Sequence, residues 1–327
     1  MIEVQGLTKY YGRLAAIKDI SFTVQTGSVV GFLGPNGAGK TTTMRILTCY
    51  SPPSSGTVRI LGMDVGSDSL RIRRKLGYLP ENVPLYDWMR VRGYLEFVCR
   101  AKGVAAGKIA HEIGRVAESV GLNDVLGKIV KWLSKGYRQR LGLAQALIGD
   151  PPIIILDEPT IGLDPRQIRE IRSLIKGLSK DKTVILSTHI LPEVSQICDR
   201  VIIINKGSLV AEDTPANLMA AKGKSLRCGV SARATERDLR NVVSMAPGVL
   251  SVHPSPSGQD GISSVIVESE PGQEVRSEIA RIVVAKGWDL LEIRAIDFTL
   301  EDVFIDLITE ETGDQLSTEE NQKEEVA

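Results

Sequence analysis

The sequence predicts an α/β domain with a largely parallel sheet, an all-helical insertion within it, and a smaller α+β domain after it. Three observations support this. Strand-like apolar runs alternate with helical patterns after residue 29, strand patterns are missing between about residues 86 and 150, and a new strand–helix order begins beyond residue 225. A chain of 327 residues has the length expected of two domains.

The first domain, residues 1–222, is expected to open with two strands, IEVQGLTKYY and AIKDISFTV. GSVVGFLG is typical of a buried strand, and it is followed by a glycine-rich loop and the helix KTTTMRILT. Helical spacing continues in the insertion, in WMRVRGYLEFVCRAKG and KIAHEIGRVAESVG. Strands resume in PPIIILDEP, KTVILSTH and DRVIIINKG.

The last helix of the insertion is predicted to start at Ser134, whose hydroxyl suits an N-cap, and to end at GDPP, residues 149–152. Its first turn contains Lys135 and Gly136, although the positive end of a helix dipole favours acidic residues. A cation, a glycine and a serine hydroxyl at a helix N-terminus indicate one half of an anion-binding site.

A domain boundary is expected near residues 220–225. Residues 225–310 then follow the order strand, helix, two strands, helix, strand, which predicts a small accessory domain of the ferredoxin-like type. Its final helix would place large apolar side chains on one face, namely those of Leu300, Val303, Phe304, Leu307 and Ile308. Residues 311–327 are expected to form a disordered acidic tail.

Charge and composition exclude several classes of protein. The zero net charge divides into −6 on the last eighteen residues, which carry seven acids and one lysine, and +6 on the rest. Such an excess does not indicate nucleic-acid binding.

No apolar run approaches the ~18 residues that span a bilayer, and no signal peptide is visible. Four scattered cysteines predict neither disulfides nor a zinc site. We therefore expect a soluble cytoplasmic protein.

The segment GPNGAGKTT fits the phosphate-loop pattern G-x-x-x-x-G-K-[ST] between a strand and a helix, and it predicts a P-loop NTPase. Its glycines let backbone N–H groups converge on phosphate oxygens, Lys40 can reach the β- and γ-phosphates, and Thr41 can bind Mg²⁺. The residues expected to contact the nucleotide here are Gly34, Pro35, Asn36, Gly37, Ala38, Gly39, Lys40, Thr41 and Thr42.

PPIIILDEP supplies the second half of such a site. Its apolar run predicts a central strand ending at Asp157, where a carboxylate would face Mg²⁺, and Glu158 follows in a position suited to polarise the attacking water. Other nucleotide-binding classes fit less well. NKGS (205–208) lacks the aspartate of a guanine-binding N-K-x-D motif, no DFG or HRD element suggests a kinase, and no GxGxxG follows a first strand.

The ordered set of motifs resembles the nucleotide-binding subunits of ATP-binding-cassette (ABC) transporters over about residues 1–222. LSKGYRQR (133–140) is similar to the family's signature helix, IGLDP (161–165) to its D-loop, and LSTHIL (186–191) to the segment with its switch histidine. The resemblance implies the ABC-type ATPase fold, with ATP and Mg²⁺ as cofactors.

Roles for individual residues follow from the resemblance. The residues implied to act in catalysis are Glu158, His189 and Lys40. Those implied to bind Mg²⁺ are Thr41, Asp157 and Glu81. Those implied to contact ATP outside the phosphate loop are Tyr11, Ser134, Gly136 and Asp164. Tyr11 would stack on adenine, with the neighbouring Tyr10 as the alternative.

Two chains of this family are understood to face head to tail, with each nucleotide between one phosphate loop and the other chain's signature helix. The resemblance implies that Ser134 and Gly136 meet the γ-phosphate of a partner's ATP, in a homodimer or in a heterodimer with a similar ATPase. It also implies a separate polytopic membrane permease, which would hold this chain at the inner face of the cell membrane. No nucleic-acid partner is expected.

Two positions depart from the family pattern. Lys135 replaces the usual second glycine of the signature, so its side chain must point away from the phosphate or add its own charge to it. Glu81 stands where many members have glutamine, and an ionised glutamate can accept but not donate a hydrogen bond. The roles open to Glu81 are binding Mg²⁺, binding water, or sensing the membrane partner. Both variants resemble an exporter branch that includes drug-resistance, gliding-motility and copper-processing ATPase subunits, so export is expected.

Two other functions fit the sequence less well than transport. A soluble ABC ATPase acting on ribosomes or DNA usually joins two cassettes or carries a long coiled coil, and the sequence shows neither. An ATP-binding regulatory module without turnover would not require all four of Lys40, Asp157, Glu158 and His189, and this chain has them all. Outside the motifs, His111 and His253 are expected at the surface, and the basic run 71–75 on a solvated helix face, with anionic lipid as an alternative contact.

Overall fold

The computed structural model describes residues 1–179, 181–188, 190–222, 226–255, 261–296, 299–305 and 307. His189, Ile308 and the acidic tail 311–327 lie outside the described residues. The chain divides into two compact units, Met1–Pro215 and Ala216–Ala327. Among the described residues, no helix is both long enough and apolar enough to cross a membrane.

The first unit contains the following elements. Its strands are β1 (Ile2–Tyr11), β2 (Leu14–Val24), β3 (Val29–Leu33), β4 (Ser55–Ile60), β5 (Met63–Asp64), β6 (Leu76–Leu79), β7 (Ile153–Asp157), β8 (Thr183–Thr188), β9 (Arg200–Asn205) and β10 (Ser208–Asp213). Its helices are α1 (Lys40–Leu47), α2 (Ser69–Arg74), α3 (Val91–Ala101), α4 (Ile109–Val120), α5 (Lys135–Leu147), α6 (Pro165–Leu178) and α7 (Leu191–Ile197). Helix α8 (Pro215–Lys222) follows.

The central sheet has the strand order β10-β9-β3-β8-β7-β6, in which β10 is antiparallel and the other five strands are parallel. Every residue of β3, β7 and β8 is buried, which explains their continuous apolar or small-residue character. The carboxyl ends of the parallel strands meet at one edge of the sheet. The phosphate loop, the Asp157–Glu158 pair and the segment after β8 therefore start from the same edge.

The two N-terminal strands belong to a separate antiparallel sheet with the order β2-β1-β4-β5. Phe22 of β2 packs against Phe32 of β3 with 5.6 Å between ring centroids, within a core that both sheets share. The basic run 71–75 lies on and directly after α2, where Ile72 is buried and the four cations are exposed. This agrees with the expected solvated face.

Helices α3, α4 and α5 form the predicted helical insertion between β6 and β7. Ser134 is the N-cap of α5, and its Oγ accepts a hydrogen bond from the N–H of Tyr137 at 3.4 Å. The end of α5 lies close against β6, because a Cβ on Gly77 would lie 2.2 Å from the carbonyl oxygen of Ala146. Helix α5 is thereby anchored to the sheet.

The second unit contains β11 (Arg227–Ala232), α9 (Glu236–Val243), β12 (Val249–Ser255), β13 (Ser263–Ser269), α10 (Arg276–Ala285) and β14 (Leu290–Ile296). Its antiparallel sheet has the order β12-β13-β11-β14, the arrangement of a ferredoxin-like split βαβ fold. Residues 300–305 are helical, with Leu300 and Val303 buried. Asp302 of this turn pairs with Arg227 at 2.7 Å.

Candidate nucleotide-binding site

The phosphate loop connects β3 to α1 and depends on glycine at two close approaches. A Cβ on Gly34 would lie 2.4 Å from the carbonyl oxygen of Ile204. Gly39 has a φ of +108°, and a Cβ there would lie 2.7 Å from the carbonyl oxygen of Ala16. A side chain at either position would displace the backbone, so the loop geometry requires both glycines.

Lys40 is the first residue of α1 and is 6% exposed. Its Nζ donates hydrogen bonds to the carbonyl oxygens of Gly34 at 2.8 Å and Pro35 at 3.3 Å. The side chain is therefore folded back over the loop, next to the free N–H groups at the start of α1. A cation and a helix N-terminus in one place form a site for phosphate.

Asp157 ends β7 and is completely buried. Its Oδ1 accepts hydrogen bonds from the hydroxyl of Ser187 at 2.6 Å and from that of Thr41 at 3.4 Å. Its Oδ2 is buried and has no hydrogen-bond partner within the described part of the chain. A buried carboxylate oxygen without a donor, beside a threonine hydroxyl, fits a hard divalent cation such as Mg²⁺.

Glu158 has a φ of +50°, in the left-handed region that non-glycine residues rarely adopt. Its N–H donates to the backbone oxygen of Ser187 at 3.2 Å and to the Ser187 hydroxyl at 3.0 Å, and these bonds stabilise the strained backbone. Its Oε1 lies 3.8 Å from Nζ of Lys40. The carboxylate is thus turned from the end of β7 toward the phosphate loop.

Ser187, on β8, was not predicted as a site residue. It lies directly beside Asp157 in the parallel pairing of β7 with β8. Its hydroxyl donates to the carboxylate of Asp157 and accepts from the backbone N–H of Glu158. In the sequence a serine follows the apolar run VIL near the end of β8, but this pattern does not show that the serine faces Asp157.

A cleft of about 510 Å³ brings most of the predicted residues together. It is lined by Ala16, Pro35, Asn36, Gly37, Gly39, Lys40, Thr41, Thr42, Glu81, Glu158 and Ile161. Glu81, two residues beyond β6, therefore lies in the same cleft as the phosphate loop. Ala16, on β2, had not been singled out from the sequence.

Tyr11 does not line the phosphate cleft. Its side chain is 46% exposed, and Nζ of Lys9 lies 5.4 Å from its ring centroid. Tyr10 is similarly exposed, at 50%. Either ring is accessible to a planar ligand, so the adenine-stacking role of Tyr11 stays a prediction.

Ser134 and Gly136 of the signature helix and Asp164 of the D-loop do not line the phosphate cleft of their own chain, although Ile161 at the start of the D-loop does. Gly136 and Asp164 line a different cavity, of about 940 Å³, bounded by α4, α5 and α6. Asp164 is the N-cap of α6 and accepts hydrogen bonds from the N–H groups of Arg166 and Gln167. Contact with ATP by these residues would require a second chain. His189 cannot be placed, because it lies outside the described residues.

Lys135 points toward the D-loop of its own chain. A Cβ on Gly162 would lie 1.8 Å from Nζ of Lys135, so the ammonium group rests against the backbone of this glycine. The sequence left two directions open for this side chain, and the structure places it beside Gly162.

The fold and the site define a phosphate-loop nucleotide-binding protein of the α/β class. The model of the ABC transporter family matches residues 17–161, and a second model, described as an AAA domain, putative AbiEii toxin, Type IV TA system, matches residues 129–195. The bacitracin transport ATP-binding protein BcrA of Bacillus licheniformis is 36% identical over 310 residues, which cover 94% of this chain and 97% of that protein.

The daunorubicin/doxorubicin resistance ATP-binding protein DrrA of Streptomyces peucetius is 31% identical over 329 residues, covering 99% of this chain and 97% of that protein. A dimeric ATP-binding cassette in a post-hydrolysis state, bound to ADP and Pi, matches with a TM-score of 0.61 and 26% identity over 65% of this chain and 98% of that one. The chain belongs to the ATP-binding proteins of ABC transporters. It is an ATPase, and its relatives favour transport over the ribosomal, DNA-directed or regulatory alternatives.

Proposed function

We propose that this chain is a Mg²⁺-dependent ATPase that dimerises on ATP and drives export through a separate polytopic permease. The observation that carries the chemistry is the 3.8 Å contact between Lys40 and Glu158, because it joins the phosphate-binding half of the site to its general base. The full-length similarity to proteins named for bacitracin transport and for daunorubicin/doxorubicin resistance supports export.

Hydrolysis follows from the positions of these side chains. The loop N–H groups and Lys40 bind the β- and γ-phosphates, and Glu158 accepts a proton from the attacking water. The water oxygen bonds to the γ-phosphorus while the bond to the β–γ bridging oxygen breaks, and the products are ADP and phosphate. Thr41, Asp157 and Glu81 would hold Mg²⁺, which neutralises charge that develops on the phosphate oxygens.

The second half of each site comes from a second chain. Ser134 and Gly136 lie at the start of α5 and outside the phosphate cleft of their own chain, which is what a head-to-tail dimer requires. The partner is a second copy or a similar ATPase. His189 would act in catalysis, as the family resemblance implies, and Tyr11 would stack on adenine.

The permease would hold this chain on the cytoplasmic face of the cell membrane. Residues 225–310 would then form an accessory domain of the transporter ATPase. We expect deletion of 312–327 to leave both stability and ATPase activity almost unchanged, because that segment offers no apolar face to pack.

Phosphate release by the purified chain, alone and reconstituted with its permease in liposomes, tests the proposal. We expect Mg²⁺-dependent turnover that the permease stimulates. Stimulation by ribosomes or DNA instead would favour the non-transport alternative, and ATP binding without phosphate release would favour a regulatory module.

A further inference from the structure

A second cavity, of about 380 Å³, adjoins the phosphate cleft and shares Thr41 and Glu81 with it. Asp157 lines this second cavity as well, so all three residues proposed to hold Mg²⁺ border it. Gln145 of α5 contributes an amide to its wall. No motif in the sequence had drawn attention to Gln145.

The orientation of the Gln145 amide is fixed by Tyr94 of α3. The hydroxyl of Tyr94 donates a hydrogen bond to Oε1 of Gln145. Tyr94 is 3% exposed, and its ring lies edge-on to that of Tyr86 with 6.0 Å between centroids. Burial raises the pKa of Tyr94 to about 12, so the hydroxyl remains a donor at neutral pH. Because Oε1 already accepts the hydrogen bond from Tyr94, the two N–H groups of Gln145 are the part of the amide that can bond to groups in the cavity.

The wall that Gln145 shares carries two carboxylates, beside the donor groups of Arg45, Tyr50, Tyr78 and Asn82. Asp157 is completely buried, and its Oδ2 has no donor within the described part of the chain. Glu81 adds a second carboxylate. Where two carboxylates surround one cation, a neutral hydrogen-bond donor can hold a carboxylate, or a water bound to the cation, in the orientation that binding requires.

We propose that Gln145, oriented by Tyr94, is a positioning residue for the magnesium end of the nucleotide site. Its N–H groups add a neutral amide donor to this wall, and such a donor is missing at position 81, where the family pattern has glutamine and this chain has Glu81. This inference rests on the proposed Mg²⁺-dependent ATPase. Tyr94 does not touch the nucleotide and acts through Gln145.

The test compares ADP binding in MgCl₂ and in EDTA by isothermal titration calorimetry. We expect Gln145→Leu to bind ADP normally in EDTA. The increase in ADP affinity that Mg²⁺ produces should be roughly threefold to tenfold smaller in this variant than in the unmodified chain, which is the effect of one hydrogen bond. Tyr94→Phe should give a smaller loss in the same direction, and no further loss in the Gln145→Leu background. Gln196→Leu is the matched control, because this exposed glutamine bonds Arg172 and lines neither cavity.

Tyr94→Phe keeps the buried ring, so it reports on the proposal even where Gln145→Leu fails to fold. An unchanged Mg²⁺ contribution in the folded variants would overturn the proposal. Equal losses in EDTA and in MgCl₂ would also overturn it, because they would show a general structural role. Absence of ADP binding by the unmodified chain would overturn the proposed function itself and this inference with it.

Discussion

The ammonium group of Lys40 lies 3.8 Å from the carboxylate of Glu158, and each side chain is less than one-tenth exposed. Lys40 begins α1, whereas Glu158 follows β7, so this contact joins two segments that are far apart in sequence. It places the cation proposed to bind phosphate beside the carboxylate proposed to activate water. The negative charge of Glu158 is thereby balanced inside a largely buried site.

Gly34→Ala should impair ATP binding. Its Cβ would lie 2.4 Å from the backbone oxygen of Ile204, so the phosphate loop would have to shift. The matched control is Gly177→Ala in α6, where a Cβ would meet no atom of the described residues within 4 Å. Alanine is favoured over glycine inside a helix by about 0.5–1 kcal/mol, so the control should retain ATP binding and unfold at a slightly higher temperature. Normal ATP affinity in Gly34→Ala would contradict the loop geometry.

Sequence patterns identified the strands that are buried on both faces. β3, β7, β8 and β9 are continuous runs of mainly apolar residues, because helices or the second sheet cover both sides of the central sheet. The sequence patterns did not predict β4, β5, β6 and β10. β4 has two buried residues, β5 and β6 have only two and four residues, and no residue of β10 is fully buried. These strands are recognised by their pairing with neighbouring strands.

The candidate site likewise contains residues that the sequence identifies and residues that only the tertiary structure identifies. Lys40, Thr41 and the Asp157–Glu158 pair lie in contiguous motifs whose chemistry can be inferred locally. Ser187 could not be inferred, because its bonds to the acidic pair depend on the register of β7 against β8. The direction of Lys135 depends on where the D-loop lies, which is also a tertiary property.

Glu112 should contribute stability that depends on pH. Its carboxylate accepts hydrogen bonds from Arg115 and, at 2.7 Å, from the N–H of Gly149, so it ties α4 to the end of α5. The bond from Arg115 holds the pKa of Glu112 below its usual value. A depressed folded-state pKa means that this stability is present above the unfolded pKa of about 4.3 and is lost as pH falls through the lower folded pKa.

Glu112→Gln should therefore lower the free energy of unfolding at pH 7 by about 1–3 kcal/mol, and by less at pH 3. Urea denaturation at the two pH values measures the difference. Glu118→Gln, on the exposed side of the same helix, is the control and should change little at either pH. An equal loss at both pH values would show that the charge of Glu112 is irrelevant.

Mixing two defective chains should reveal the head-to-tail dimer. Ser134→Arg blocks the start of α5, and Lys40→Ala weakens phosphate binding, so each chain alone should hydrolyse ATP poorly. In a heterodimer both changes fall in one composite site, and the other site is intact. Restored turnover, or ATP trapped at one site per dimer, is expected. If folded mixtures show neither, residues 133–140 do not act on a partner's nucleotide.

Glu158→Gln, with its phosphate release and its ATP affinity measured on the same preparation, tests the proposed chemistry most directly. The amide keeps the shape of the side chain but is a far weaker base, so turnover should fall by roughly 10²–10⁴-fold while ATP binding is retained. Sedimentation with ATP should then show an accumulated dimer, and Glu118→Gln should behave like the unmodified chain. Near-normal phosphate release by Glu158→Gln would contradict the assignment of Glu158 as the general base.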